Sequence, residues 1–352
     1  MNRTCLFFVT ALVSFLFFSC RSMRVIEIET YNPSAITFPP EVKTVMIVNN
    51  SAQQPDGVGH SYKSNTKGDS LLYVSVDSMA YHFCTSLGKA IAETPFFYDV
   101  RMCNDTLRID SSFYNVRPFT VNNIKAFCDD YDVDALITLD KLFLKTVFYD
   151  KDMTGMHMCS AVTAEISGEL RALWPGQKEA YSVPFTDSLA WFLDEGVFSE
   201  AVVKALTVSD VQSAMLYLSD FTGRKMHVNF TPHWAEDKRW YYTNISSEWK
   251  SGTVYANAKK WGEAVKIWES LYRKSTKWKQ KARLLSNIAL CNEMVGNFEK
   301  ASEYAEMSYA LFRENDKENS YYSNLQKTYI DILQQRKSMD RMLSKQLGEN
   351  DD

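Results

Sequence analysis

Residues 134–147 read DALITLDKLFLKTV, and residues 158–174 read MCSAVTAEISGELRALW. In the second stretch Val162, Ala164, Ile166 and Leu170 alternate with Thr163, Glu165, Ser167 and Glu169. A period of two sends alternate side chains to opposite faces, the pattern of a half-buried antiparallel strand. The first stretch reads as a long strand, and Asp150-Lys151-Asp152-Met153-Thr154-Gly155 turns the chain between the two. Trp174-Pro175-Gly176-Gln177 is a second tight turn. It leads to a strand over 179–189, which Pro184 places at an edge or a bend.

Upstream, residues 43–48 (KTVMIV) read as a short buried strand and 49–70 as a long polar loop. Met79, Phe83, Leu87 and Ile91 recur at helical spacing over 78–93 before Pro95 stops the helix. A strand over 96–102 and a helix over 121–131 follow, and one or two helices over 198–221 close the series. The order β-α-β-α-β-β-β-α predicts an α+β fold in which helices cover a mixed sheet.

Of the 352 residues, 45% are hydrophobic and 23% charged, which excludes a disordered tail protein and a polytopic membrane protein. A net charge of −4 leaves no nucleic-acid footprint. The charge is unevenly spread: 20 basic and 29 acidic residues from Arg21 to Glu248, then 18 basic against 14 acidic from Trp249 on. Lys250–Arg283 holds ten basic residues against Glu263 and Glu269, a shift that predicts a domain boundary near residue 245. Such a stretch is a solvated face or a contact for an anionic neighbour, whether phospholipid head groups, an acidic protein or the chain's own acidic domain.

Arg3 precedes the apolar run Leu6–Phe18, which is followed by Ser19 and Cys20. A charged start, a run of this length and a small residue are the parts of an export signal, and the run is short for a bilayer span. Leu16-Phe17-Phe18-Ser19-Cys20 resembles a bacterial lipobox. That resemblance implies removal of residues 1–19 and lipidation of Cys20, with palmitate among the acyl chains. No aspartate follows Cys20 and no acidic cluster follows it, so the analogy implies the periplasmic face of the outer membrane. Residues 20–40 then read as a lipid-anchored tether, 41–243 as the α+β domain and 244–352 as a helical domain. Five cysteines besides Cys5 and Cys20 give an odd count and no CxxC spacing, so mostly free buried thiols and at most one disulfide are expected.

From Ser246 onward the periodicity is helical. Lys260-Trp261-Gly262-Glu263-Ala264 recurs as Asn297-Phe298-Glu299-Lys300-Ala301, at a spacing close to the tetratricopeptide period. Leu285, Ile288 and Ala289, then Gly296, then Phe298, Ala301 and Ala305 resemble one tetratricopeptide repeat residue by residue. Lys259 stands where the first unit's turn glycine belongs. The resemblance implies a concave groove for a peptide or protein, lined by Trp249 and Asn257 from the first unit and Arg283, Ser286, Asn287, Leu290 and Glu293 from the second. The amino-terminal outline, through KTVMIV and the step Tyr131-Asp132-Val133-Asp134-Ala135-Leu136-Ile137, is similar to the α/β domain of TolB and of curli-secretion and penicillin-binding-protein activator lipoproteins. With the lipobox and the carboxy-terminal helices, the chain resembles a family of Bacteroidetes lipoproteins that brings no known activity.

HExxH, GxSxG, the P-loop and GxGxxG are absent. Asp129, Asp130, Asp132 and Asp134 lack the glycine and the closing glutamate of a calcium loop, and read as a solvated helix end. Met153, Met156, His157, Met158 and Cys159 offer soft ligands suited to Cu(I), although strand alternation splits Met156 and Met158 from His157 and Cys159. The stretch WAEDKRWYY, residues 234–242, reads as a packed hinge or as a sugar or peptide platform. The leading expectation is therefore a non-enzymatic envelope lipoprotein, free of cofactor, acting as a protein-interaction or assembly module. An envelope enzyme acting on glycan and a metal-handling protein are the alternatives.

Overall fold

The computed structural model describes residues 23–63, 69–103, 112–115, 117, 119, 121–149, 160–193, 200–316 and 320–349. The chain runs β1 (Met23–Asn32), β2 (Thr44–Asn49), β3 (His60–Lys63), β4 (Ser70–Leu71), α1 (Met79–Ala92), β5 (Asp99–Met102), α2 (Val121–Tyr131), β6 (Ala135–Tyr149), β7 (Ser160–Leu173), β8 (Tyr181–Leu193) and α3 (Glu200–Lys225). After a short 3-10 turn come β9 (His233–Tyr242), α4 (Ser247–Asn257), α5 (Trp261–Lys274), α6 (Trp278–Met294), α7 (Phe298–Asn315) and α8 (Tyr321–Leu347). The fold is α+β, and it divides into two compact units. Pro33–His233 forms most of the sheet-containing unit, while the described residues 23–32 join Trp234–Lys345 in the helical one.

In the first unit β6 is the axis of a seven-stranded mixed sheet. One edge of β6 pairs in parallel with β2 over Ala135–Leu139 and with β3 over Thr146–Tyr149. The other edge pairs antiparallel with β7, and β7 with β8. Alternation along β2 sends Val45 and Ile47 into one core, where they meet Phe83, Leu87 and Ile91 of α1 and Met215 and Leu218 of α3. Met46 and Val48 point the other way, onto Ile124 and Cys128 of α2. Gly223 lets α3 press on α1: a Cβ there would sit 2.3 Å from the Phe83 carbonyl oxygen. Asp134, one of the four clustered aspartates, accepts from the Lys43 and Thr44 amides at 2.8 and 2.7 Å and so closes the start of β2. The four described cysteines, Cys84, Cys103, Cys128 and Cys291, are free thiols, and burial pushes Cys84 up to about 12.

Two expectations for this region change. The polar stretch 49–70 carries β3 and the start of β4, and two of its described residues, Gln54 and His60, are pinned internally. Gln54 accepts from the Leu144 amide at 2.8 Å and donates to the Leu144 carbonyl at 2.7 Å. His60 Nδ1 lies 2.8 Å from Thr146 Oγ1. The proposed tether 20–40 contains β1, whose Ile28 is buried in the helical unit's core. The two compact units divide at residues 32/33 and 233/234.

Burial lowers the His60 pKa from 6.5 to about 4. Because the folded value lies below the unfolded one, the unfolded chain takes up the proton first. The neutral ring's contribution to stability is whole above about pH 6.5 and is lost as pH falls toward about 4. Urea unfolding across that window should show a steeper loss of stability for the native chain than for His60→Gln. Equal slopes would contradict the assignment.

In the second unit β1 pairs with β9, and five helices follow. Gly296 turns α6 into α7 at φ +78, and Asn297 caps α7 by accepting from the Lys300 amide at 3.2 Å. Lys259, which stands in the corresponding turn of the preceding pair, is forced to φ +56. Ala289, Ala301 and Ala305 are fully buried against Tyr329 and Leu333 of α8. Ala301→Trp should therefore overpack this crossing and cost about 1–3 kcal/mol or more. An unchanged thermal midpoint would place Ala301 on an open face instead.

Candidate functional site: a strand seated in the helical groove

The seven positions expected to line a groove come together, but around the chain's own β9. The decisive contact is at the Tyr242 peptide group. Its N–H donates to Asn287 Oδ1 at 2.7 Å, and its carbonyl accepts from Asn287 Nδ2 at 2.8 Å and from Trp249 Nε1 at 2.8 Å. One carboxamide thus satisfies both main-chain groups of a single residue, and an indole N–H adds a second bond to the carbonyl. A buried peptide group needs such partners, since an orphaned one costs roughly 1–3 kcal/mol.

The β9 side chains are gripped as well. Arg283 lies over the Tyr242 ring, 5.5 Å from its centroid. Gln326 Nε2 donates to Ser286 Oγ at 2.9 Å and reaches the Tyr242 hydroxyl at 3.4 Å. Burial pushes the Tyr242 phenol well above its usual value, so it stays neutral. The Tyr241 hydroxyl donates to Asn257 Oδ1 at 2.8 Å.

Arg239 is buried as well, at 1% exposure. Its Nε and Nη2 donate to Glu293 at 3.0 and 2.9 Å, and Nη1 donates to Asp237 at 2.6 Å. Burial opposes its charge, but the bonds to Glu293 and Asp237 outweigh burial and hold its pKa above the ordinary value. The Tyr329 hydroxyl donates to the second Glu293 oxygen at 2.8 Å, and Arg336 Nε stands 3.7 Å from the first. Leu290 packs in the surrounding core.

Trp249, Ser286, Asn287, Leu290 and Glu293 are therefore buried, and they are not a free partner surface. The correction has a physical cause. Groove chemistry fits any extended segment, and β9, joined to α4 by a short link, occupies it at no translational cost. Arg239, Gln326, Tyr329 and Arg336 belong to the same site and carried no signal of it in sequence. Arg239 lies in a stretch read as a packed hinge or a sugar or peptide platform, and the others lie in the helical periodicity that runs on from Ser246. The arrangement recognises a peptide group and a guanidinium.

Cys20 lies outside the described residues, as do Met153, Met156, His157, Met158 and Cys159. Among the described residues no group of three or more His, Cys, Asp or Glu side chains is arranged to hold a metal ion. In the sheet unit, a cavity of about 490 Å³ lies over Gly168, walled by Phe113, Tyr114, Phe143 and Phe185 with Lys141 and Glu169. Glycoside hydrolysis uses two carboxyl groups across the scissile bond. Glu169 is the one acid among the described lining residues, and the Ser182 hydroxyl donates to it at 2.7 Å.

Residues 42–242 match a family described as a domain of unknown function, DUF8603, over more than half of the chain. The chain belongs to this family. The DUF8603 match ends at Tyr242, the residue held by Asn287, and residues 250–335 match a second domain of unknown function, DUF6340. No curated protein matches. Two solved structures are similar at a TM-score of 0.25. One, described as the crystal structure of an uncharacterized protein, is 13% identical, with 55% of this chain and 99% of that chain covered. The other, the hypothetical protein CT253 from Chlamydia trachomatis, is 8% identical, with 53% of this chain and 94% of that chain covered.

Proposed function

We propose that this DUF8603 protein is a non-enzymatic lipoprotein of the bacterial envelope that serves as an interaction or assembly module. It is lipidated at Cys20 and held on the periplasmic face of the outer membrane. In this reading the tetratricopeptide-like helices fasten the β1–β9 ribbon that follows the lipid, and the partner surface lies on the sheet unit.

The observation that supports it is an exposed aromatic pair on α3. Tyr217 and Phe221, one helical turn apart, stack at 6.2 Å while 61% and 44% exposed. Lys225 lies over Phe221, and His82 reaches Asp220 on the same surface at 3.6 Å. Aromatic side chains in a charged rim are the composition of a protein interface.

A photo-crosslinking residue at position 217 should yield a discrete product in living cells that Phe221→Asp abolishes. A crosslinker placed there that yields no discrete product from a folded, membrane-held protein would remove the reading. Anchoring is tested separately. Cys20→Ala should lose incorporation of a clickable palmitate analogue, and equal labelling of both chains would contradict lipidation.

A further inference from the structure

The link between Cys20 and the folded protein is shorter than a tether. Two residues, Arg21 and Ser22, separate Cys20 from Met23, where β1 begins, so the three steps between them reach at most roughly 11 Å. Where Met23 lies then decides which part of the molecule meets the membrane.

Thr30 Oγ1 donates to the Ala235 carbonyl at 3.4 Å, and the Tyr31 and Trp234 rings lie 5.0 Å apart. The close of β1 therefore sits beside the start of β9. Two paired ten-residue strands arranged this way run antiparallel, which puts Met23 at the Tyr242 end.

That end of the helical unit is basic. Trp249 ties the first turn of α4 to Tyr242, and Lys274 at the close of α5 meets Glu248 of that same turn at 3.8 Å. Lys279 near the start of α6 lies over Tyr322 at the start of α8. Lys277 opens α6 from its N-cap position and is exposed. Described acids toward this end include Glu248, already engaged by Lys274, Glu269, which pairs with Arg273, and Glu314 and Asp316 where α7 closes beside Trp278. Two large apolar side chains also face outward here, Ile245 at 78% and Tyr321 at 64% exposure.

We propose that this end of the helical unit docks on an anionic phospholipid surface, with Lys274, Lys277 and Lys279 over the head groups and Ile245 and Tyr321 at the interface. The orientation rests on the lipoprotein reading; the charge and the exposed apolar side chains do not. A chain reach comparable to the Debye length of about 8 Å keeps these lysines inside the unscreened field of the surface. Basic side chains near an anionic leaflet each contribute about a factor of five to binding, and tyrosine favours the head-group level.

The test is co-sedimentation of the mature chain, made without residues 1–19 and with Cys20→Ser so that it carries no lipid. Vesicles of phosphatidylglycerol are compared with vesicles of phosphatidylcholine, at low and at high salt. The expected result is binding to phosphatidylglycerol alone, abolished by salt. Lys274→Glu with Lys277→Glu and Lys279→Glu should weaken it on the order of a hundredfold, with circular dichroism unchanged, and Ile245→Ser should weaken it further.

A chain that stays in solution at low salt would overturn the proposal and point to an acidic protein as the partner of this face. Equal binding to both vesicles, or full binding by the triple variant, would overturn it too. None of these outcomes bears on lipidation, which palmitate labelling reads by itself.

Discussion

Glu293→Ala should unfold the helical unit more readily than any other single change in the groove, at a cost of about 3–5 kcal/mol. Glu293 is fully buried and answers three groups at once: the Arg239 guanidinium, the Tyr329 hydroxyl and, at 3.7 Å, Arg336. Removing the carboxylate leaves the Arg239 charge 1% exposed with Asp237 as its remaining acidic partner. A desolvated charge stripped of its partner is among the most expensive defects in a folded chain. Urea unfolding followed by circular dichroism should show the loss, and Arg239→Met should cost less than Glu293→Ala because it leaves Glu293 with Tyr329 and Arg336. The double variant Arg239→Met with Glu293→Leu should fall well short of the sum, since the two groups answer each other. Additive losses would mean that the two residues do not form a pair.

Trp268→Ala is expected to cost a similar 3–5 kcal/mol by a different route. Trp268 of α5 is fully buried and presses on Gly252 of α4 so closely that a Cβ there would lie 2.4 Å from the indole nitrogen. Tyr241 of β9 lies near the same indole, with ring centroids 6.4 Å apart. Truncation leaves a cavity between α4, α5 and the seated strand, and surrounding side chains fill such cavities only in part. Gly252→Leu should destabilise the native chain by overpacking, yet recover part of the loss in the Trp268→Ala background. If Gly252→Leu costs the same in both backgrounds, the contact does not exist.

The hairpin of β6 and β7 was legible because its signal is local. Ile166 and Leu170 alternate with polar neighbours, and one face of the pair is covered by α1 and α3. The helix over 78–93 was legible for the same reason, through Phe83, Leu87 and Ile91. β1 carried a weaker form of this signal, since Ile26, Ile28 and Thr30 alternate with charged or polar residues. Its position just after a lipobox-like cysteine favoured a tether, and only pairing with a strand some two hundred residues away makes it a strand.

The resemblance to a repeat singled out Trp249, Asn287 and Glu293, yet nothing in it named the strand they hold. Asn287 meets Tyr242 across 45 positions of sequence, and nothing local states that contact. β9 was harder still. Its buried side chain at position 239 is an arginine, which reads as solvent-facing until Glu293 is seen beside it. The short strand β3 was hidden in a polar stretch because its partners, Thr146 to Tyr149, lie far along the chain.

The most direct test of the seated strand is hydrogen–deuterium exchange of the full mature chain, read by mass spectrometry over residues 233–242 and over α6. The expected result is slow exchange of the Tyr242 segment, comparable to α6, with that protection lost from the strand in Asn287→Leu. If residues 233–242 of the native chain exchange as fast as an open loop while α6 stays protected, the groove is empty and the account is wrong.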